Sequence, residues 1–345
     1  MNILFVPSFF PNGLEDIVYS GMNKLRNINL YEYTLKPSYH PDLIPIEAFN
    51  KIFPNGVRPS WLLQHGSGKY ICQQGEYVDL DNFDYIIFGS TRTEVLPLLS
   101  RTIKKASDRT VIIDGEDDPF VRSIFKYVKV YFKREKLDRS YSSLSGINKN
   151  NTISALTFLS RGLKNLPLIT PIPQIRNIRE RIKSLNMTVI EHQFRDCNDL
   201  DIDVSLVASP TNKVRLTYAK ALENIAKKNG LKIYLNNGSM HPIDYQNIIL
   251  HSKLVVSLPG AGYDTFRYWE VPYYERCLVS YRLPIIIEHN FTDFESALFF
   301  SSTAEFEKKI LWGLKKDRYE DLRKSAKVLF NKFHTDLKRA SRVIN

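Results

Sequence analysis

Ser257-Leu258-Pro259-Gly260-Ala261-Gly262-Tyr263-Asp264-Thr265-Phe266-Arg267-Tyr268-Trp269-Glu270 is the stretch that decides how the chain reads. Lys253 to Leu258 is an apolar run of strand length, and Asp264 to Tyr274 carries a helical pattern, so the segment predicts a turn from strand into helix. Gly260 and Gly262, on either side of Ala261, let backbone approach a ligand closely, and Asp264 or Thr265 can cap the helix. The first N–H groups of such a helix, with its dipole, favour a phosphate. Arg267 sits one turn in and offers a planar fork to phosphate oxygens. Glu270, three residues on and on the same face, can accept paired ribose hydroxyls. The same two side chains also fit an i, i+3 ion pair on a solvated face, and Phe266 and Trp269 fit a core. Spacing alone leaves both readings open.

Outward from this turn the C-terminal half alternates cleanly. Strands are predicted at Asp203 to Val207, Leu231 to Leu235 and Lys253 to Leu258, separated by helices at Asn212 to Lys228 and Pro242 to His251. Extended pieces follow at Cys277 to Tyr281, Pro284 to Ile287 and Ala297 to Phe300, then a helix at Thr303 to Leu314. Tyr319, Leu322, Ala326, Leu329, Phe333, Leu337, Ala340 and Ile344 recur at three- and four-residue steps, which predicts one long final helix with a buried stripe. The N-terminal half repeats the theme more loosely. Apolar strands are predicted at Ile3 to Val6, Tyr85 to Gly89, Val111 to Gly115 and Val128 to Phe132, with a helix at Val95 to Ala106. Strands alternating with helices in two blocks predict an α/β protein with parallel sheets. The three prolines between Leu166 and Ile175 forbid a helix and suit an interdomain connector. The boundaries are therefore drawn at 1–170 for the first domain, 171–200 for the linker, 201–315 for the second domain and 316–345 for the final helix.

A chain of 345 residues has room for two cores. Its net charge of +11 sets up a field that attracts phosphates, anionic lipid head groups or nucleic acid. No basic runs with interleaved RNA-binding aromatics appear, which counts against nucleic acid. Cys72, Cys197 and Cys277 are far apart and odd in number, so neither a disulfide framework nor a zinc site is indicated and a reducing, cytoplasmic compartment fits. The start, Met1 to Pro11, lacks the basic region of a signal peptide. Contact with the inner face of an anionic membrane stays open on charge alone.

The run from Lys253-Leu254-Val255-Val256-Ser257 through Glu270 resembles the C-terminal domain of GT-B glycosyltransferases, above all the CgeB-type branch. Phe291 to Glu295, Ala297-Leu298-Phe299-Phe300, Glu305-Phe306, Phe333-His334-Thr335 and Arg339-Ala340 agree with that family's closing pattern. The resemblance covers roughly residues 200 to 345. It implies two facing Rossmann-like domains, a nucleoside-diphosphate sugar held by the second, a glycan, protein or other hydroxyl acceptor held by the first, and no obligatory metal. It further implies that Gly260, Ala261, Gly262 and Arg267, with Asp264 and Thr265 at the helix start, hold the diphosphate, that Glu270 holds the ribose, and that the last helix crosses back to the first domain. Within Ser209-Pro210-Thr211-Asn212-Lys213-Val214-Arg215, it sets Lys213 and Arg215 at the cleft; an ordinary helix start capped by Thr211 or Asn212 also fits. Retaining relatives carry two glutamates separated by seven residues, and here Gly262 stands at the first position. Glu275-Arg276 stands where many relatives have a small residue.

In the N-terminal half Asp114-Gly115-Glu116-Asp117-Asp118-Pro119 ends a predicted strand, where ligands of open α/β sheets collect. A carboxylate crowded by like charges can have its pKa raised towards general-base work, which nominates Asp118 or Glu116 to take the acceptor's proton. A solvated acidic turn capping a helix from Phe120 fits equally. Lys133 and Arg134 end a further strand and can meet an anionic acceptor or water. His65 lies in a glycine-containing loop as an alternative base, and His251 at a helix end fits the helix dipole. Two other functions share these features: a nucleotide-sugar epimerase of the same fold, and a non-catalytic basic protein that binds polyanions.

Overall fold

The computed structural model describes residues 1–8, 12–34, 36, 39, 69–70, 78–92, 94–118, 121–138, 169–170, 181–192, 194, 197, 199–238 and 240–345. His65, Cys72, Pro119, Phe120 and most of the proline-rich connector lie outside these residues.

In the N-terminal half the elements are β1 (Asn2–Val6), α1 (Gly13–Asn23), β2 (Asn29–Glu32), β3 (Lys69–Tyr70), β4 (Tyr85–Phe88), α2 (Leu96–Ala106), β5 (Thr110–Asp114), β6 (Val121–Arg122), β7 (Val130–Lys133), β8 (Ile169–Thr170) and β9 (Ile182–Ser184). Seven of the strands form one sheet in the order β3-β2-β1-β4-β5-β7-β9, every neighbouring pair parallel. The C-terminal half comprises β10 (Ile202–Val207), α3 (Lys213–Asn229), β11 (Ile233–Asn236), α4 (Pro242–Leu250), β12 (Ser252–Ser257), α5 (Phe266–Tyr273), β13 (Cys277–Tyr281), β14 (Leu298–Phe300), α6 (Thr303–Gly313), α7 (Lys316–Phe333) and α8 (Asp336–Ile344). Its parallel sheet runs β11-β10-β12-β13-β14. The inner strands are apolar throughout because both faces are covered: all five residues of β5 are buried, as are five of the six in β12.

Each sheet has an outer core of its own, one around Leu4, Ile86, Leu99 and Phe125, the other around Leu222, Leu254, Phe300 and Phe306. A third apolar cluster is continuous across the halves, from Phe5 and Leu14 through Met187 to Trp269, Phe330 and Ala340. The two sheets are therefore welded by a shared middle layer.

Two expectations need correction. The predicted final helix is two helices. Thr335 stops the first and caps the second, its hydroxyl accepting the Lys338 N–H at 3.3 Å, while the His334 carbonyl accepts the Thr188 hydroxyl. This break lets α8 cross to the first domain, where Ser20 of α1 and Lys24 just after it donate to Asp336 at 2.7 and 2.6 Å. A Cβ on Gly21 would lie 2.1 Å from the Asp336 carbonyl oxygen, so glycine is what lets the two helices approach. Secondly, β9 falls inside the stretch read as linker yet is an edge strand of the first sheet. It is three residues long with Lys183 at its centre, too short and too polar to show as a strand. No helix among the described residues is long and apolar enough to cross a membrane.

Candidate active site

A parallel sheet in the order 2-1-3-4-5 has its ligand crevice where the order reverses, here between the carboxyl ends of β10 and β12. The loops leaving those strands are tied together. Asn212 caps α3 by accepting the Arg215 N–H at 3.0 Å, and its amide donates to the carbonyls of Pro259 and Gly260 at 3.2 and 3.0 Å. Arg215 donates through Nε to the Pro259 carbonyl at 2.8 Å and through Nη1 to Ser209 at 3.0 Å. At Gly260 an added Cβ would sit 2.8 Å from Arg215 Nη2, so the glycine leaves room for that guanidinium. Lys213, by contrast, is exposed and Ala261 sits at the exposed tip of the loop.

Arg267 faces the same crevice. Burial, and then the neighbouring Arg267 charge, lower the pKa of Arg215, so the two guanidiniums feel one another. Among the described residues neither has a carboxylate within ion-pair distance. The i, i+3 ion pair that spacing left open does not form, because Tyr245 stands between its partners. The Tyr245 hydroxyl donates to Glu270 Oε2 at 2.6 Å and accepts from Arg267 Nε at 3.2 Å, with the guanidinium 5.4 Å over the tyrosine ring. Glu270 itself is buried, and burial raises its pKa.

The helix start differs from expectation. Asp264 is no cap: it is 3% exposed and its carboxylate accepts the Met187 N–H at 2.6 Å and Trp269 Nε1 at 2.7 Å, clamping α5 to the segment that follows β9. Thr265 occupies the N-cap position without a capping hydrogen bond and meets the Ser257 hydroxyl instead at 3.2 Å. Three of the loop's amides are already engaged within the protein. Gly260 donates to the Gly262 carbonyl at 2.8 Å, and the N–H groups of Tyr263 and Asp264 donate to Glu135 of the first domain. Trp269 is fully buried in the shared core, as anticipated.

Across the cleft, each carboxylate of the acid run faces a cation rather than its like. Buried Asp114 pairs with Lys133 at 3.1 Å and accepts the Tyr131 hydroxyl; Glu116 pairs with Arg92 at 2.8 Å; Asp118 lies 3.4 Å from Lys133 and 3.5 Å from Arg122; Asp117 pairs with Arg134. The like-charge premise behind Asp118 and Glu116 is thus not met. The helix start expected at Phe120 lies outside the described residues; the described chain resumes with β6 at Val121 and a short 3₁₀ helix at Ser123–Tyr127. Lys133 is fully buried and holds Asp114, so it is no acceptor-binding cation. The member that reaches the glycine loop is Asp117, whose Oδ1 lies 2.7 Å from where a Cβ on Gly262 would be.

Two further residues find an explanation. Glu275 adopts a left-handed φ of 55°, the conformation a small residue would take without strain. Arg276 is buried and donates to the carbonyls of Leu250 and Cys197 at 2.9 and 2.7 Å, fastening the interdomain segment to the end of α4. His251, at the end of α4, lies 3.1 Å from Asp201. Tyr245 and Glu135 were not singled out from the sequence. Tyr245 belongs to no motif, and Glu135 stood unremarked beside Lys133 and Arg134.

No family model matches the chain, and no curated protein matches it. Among solved structures it is similar to a glycosyltransferase from Rickettsia africae ESF-5, at 12% identity and a TM-score of 0.53 over 99% of this chain and 97% of that one. That likeness shows the fold: two Rossmann-like α/β domains facing a cleft, the GT-B architecture. HepE of Anabaena in complex with UDP (11% identity, 100% and 98% covered, TM-score 0.43) is more distant. So is a UDP-N-acetylglucosamine 2-epimerase, described as putative, from Listeria monocytogenes (10% identity, 100% and 94% covered, TM-score 0.45). Neither of these two adds to the fold assignment.

Proposed function

We propose that the protein is a glycosyltransferase that moves a sugar from a nucleoside-diphosphate donor to a hydroxyl acceptor. The observation that carries this reading is the arginine pair. Arg215, partly desolvated, and Arg267 are held near one another at the topological switch point of the second sheet, with no carboxylate within ion-pair distance among the described residues and Glu270 reached only through the Tyr245 hydroxyl. Fixing two like charges together costs energy that a polyanion recovers, and a diphosphate has the charge and the size. Glu270 lies beside them to take the ribose hydroxyls.

In the transfer the acceptor oxygen bonds to the anomeric carbon as the bond from that carbon to the diphosphate breaks, and the diphosphate leaves with the bonding electrons. Arg215 and Arg267 neutralise that charge, with no divalent ion required. Glu116 and Asp118, at the carboxyl end of β5, are the proposed bases for the acceptor hydroxyl. The narrower kinship with CgeB-type proteins is supported by the residues quoted from Lys253 to Glu270 and by the closing pattern that follows them. Contact with an anionic membrane surface remains a proposal supported by net charge alone.

A thermal-shift screen against nucleoside diphosphates and their sugars tests this, because a ligand of the native state raises its midpoint. A rise with UDP, GDP or their sugars is expected and EDTA should not abolish it. No rise with any of them in a folded sample would sink the reading. Conversion of a nucleotide sugar without acceptor would point instead to epimerisation.

A further inference from the structure

Glu135 joins the two domains at the glycine loop. It is 1% exposed, and its oxygens accept the N–H groups of Tyr263 at 3.0 Å and Asp264 at 2.9 Å. The residues after it continue along the second domain: Asp138 donates its N–H to the Pro284 carbonyl at 2.9 Å, and Ile286 donates to Lys136 at 2.8 Å. Chain leaving β7 therefore docks on the other domain by backbone and by carboxylate.

Gly262 makes room for this contact. Its φ is not left-handed, so the backbone does not demand glycine; the space does. A Cβ there would lie 2.6 Å from Glu135 Oε1, 2.7 Å from Asp117 Oδ1 and 2.9 Å from Arg134 Nη2. At the other glycine of the loop, Gly260, the group that would be met is the Arg215 guanidinium. The loop consequently meets the Arg215 guanidinium at Gly260 and, at Gly262, the Glu135 and Asp117 carboxylates paired with Arg134, which lies 3.3 Å from Glu135. Arg134 Nε, beside the Gly262 end, is a buried donor with no hydrogen-bond partner among the described residues.

We propose that Glu135 is a positioning residue for the donor. From across the cleft it holds the loop in its binding shape through the Tyr263 and Asp264 amides, which leaves the Gly260 end beside Arg215 for the diphosphate and the Gly262 end for the sugar. This rests on the nucleotide-sugar reading above, and two measurements separate the two ideas. The first is a stability cycle with Glu135→Ala, Gly262→Ala and the double variant. Because removing the carboxylate vacates part of the space the new methyl needs, the double variant should lose less than the sum of the two single losses; midpoint losses that simply add would overturn the contact. The second is kinetic: Glu135→Ala should raise KM for the sugar nucleotide at least tenfold and leave KM for the acceptor unchanged. Equal or tighter donor binding in that variant would make Glu135 a competitor for the loop and end the proposal. Should the wild-type protein bind no nucleotide, the function fails and the stability cycle alone decides whether Glu135 holds the loop.

Discussion

The two rims of the cleft are both densely charged, and they are built on opposite plans. On the second domain Arg215 and Arg267 stand together, and among the described residues their hydrogen bonds go to hydroxyl and carbonyl oxygens, with no carboxylate in ion-pair contact. On the first domain Asp114, Glu116, Asp117 and Asp118 are each matched by Lys133, Arg92, Arg134 or Arg122. Charge that is already compensated stabilises the fold, whereas charge left uncompensated in a crevice is kept for something that arrives. A count of charged residues does not separate the two cases; the partners do.

The comparison breaks most severely at Lys133. Removing it strands Asp114, a fully buried carboxylate, and leaving one member of a buried pair alone costs about 3–5 kcal/mol. Lys133→Ala should therefore lose stability on that scale in denaturant unfolding, and a loss under about 1 kcal/mol would show that the acid run is not held this way. Arg267→Ala should behave in the opposite manner. Its midpoint should stay close to that of the wild type, because a like-charge contact is relieved, while kcat/KM falls about 10²–10³-fold, the usual cost of deleting one donor to a developing anion. Equal damage to fold and activity would reduce the arginine pair to a structural feature.

The difference also explains what the sequence made legible. Apolar runs of strand length, periodic helical stretches and the glycines between them belong to local physics, so β10 to β13 and their crossover helices could be read directly. The break at Thr335 could not, because a capping threonine inside an apolar stripe is overruled only by tertiary contacts such as Thr188 to His334. Arg267 and Glu270 were readable together because one strand-to-helix turn carries both, whereas Arg215, on a separate turn, came only with the resemblance. Glu135 was not readable, since the amides it holds are 128 and 129 residues away in the chain. The cations facing the acid run were mostly hidden too: Lys133 and Arg134 come from the end of β7 and Arg92 from beyond β4, and only Arg122 stands near the run in sequence.

Asp264 carries a pH signature on the seam between the rims. Burial, above all, pushes its pKa up to about 6 from 3.8, against the opposing pull of Arg134. A carboxyl whose folded-state pKa is raised contributes its full stability below the unfolded value and loses it as pH climbs through the folded one. Between pH 4 and 6 the wild type should therefore lose up to roughly 3 kcal/mol relative to Asp264→Asn, which has nothing to ionise. The variant itself is less stable, since an amide cannot accept from both Met187 and Trp269. Unfolding free energies of both proteins at pH 4.5 and 7 give the sign, and a gap that moves the other way would mean that Asp264 is held as an anion.

Tyr245 offers the smallest and most selective perturbation. Its hydroxyl keeps Arg267 and Glu270 apart, donating to one and accepting from the other. Without it, in Tyr245→Phe, the ring still supports the guanidinium, but Glu270 and Arg267 can close into the direct ion pair that their spacing allows. Each would then be spent on the other, Arg267 lost in part to the diphosphate and Glu270 to the ribose. A net hydrogen bond is worth about 1 kcal/mol, so stability should change by no more than that. Nucleoside-diphosphate affinity should fall about fivefold to tenfold, and most of the loss should vanish when the ligand is inorganic pyrophosphate, which has no ribose for Glu270 to hold. A loss equal for both ligands would place the effect on Arg267 alone and would remove Glu270 from the donor site.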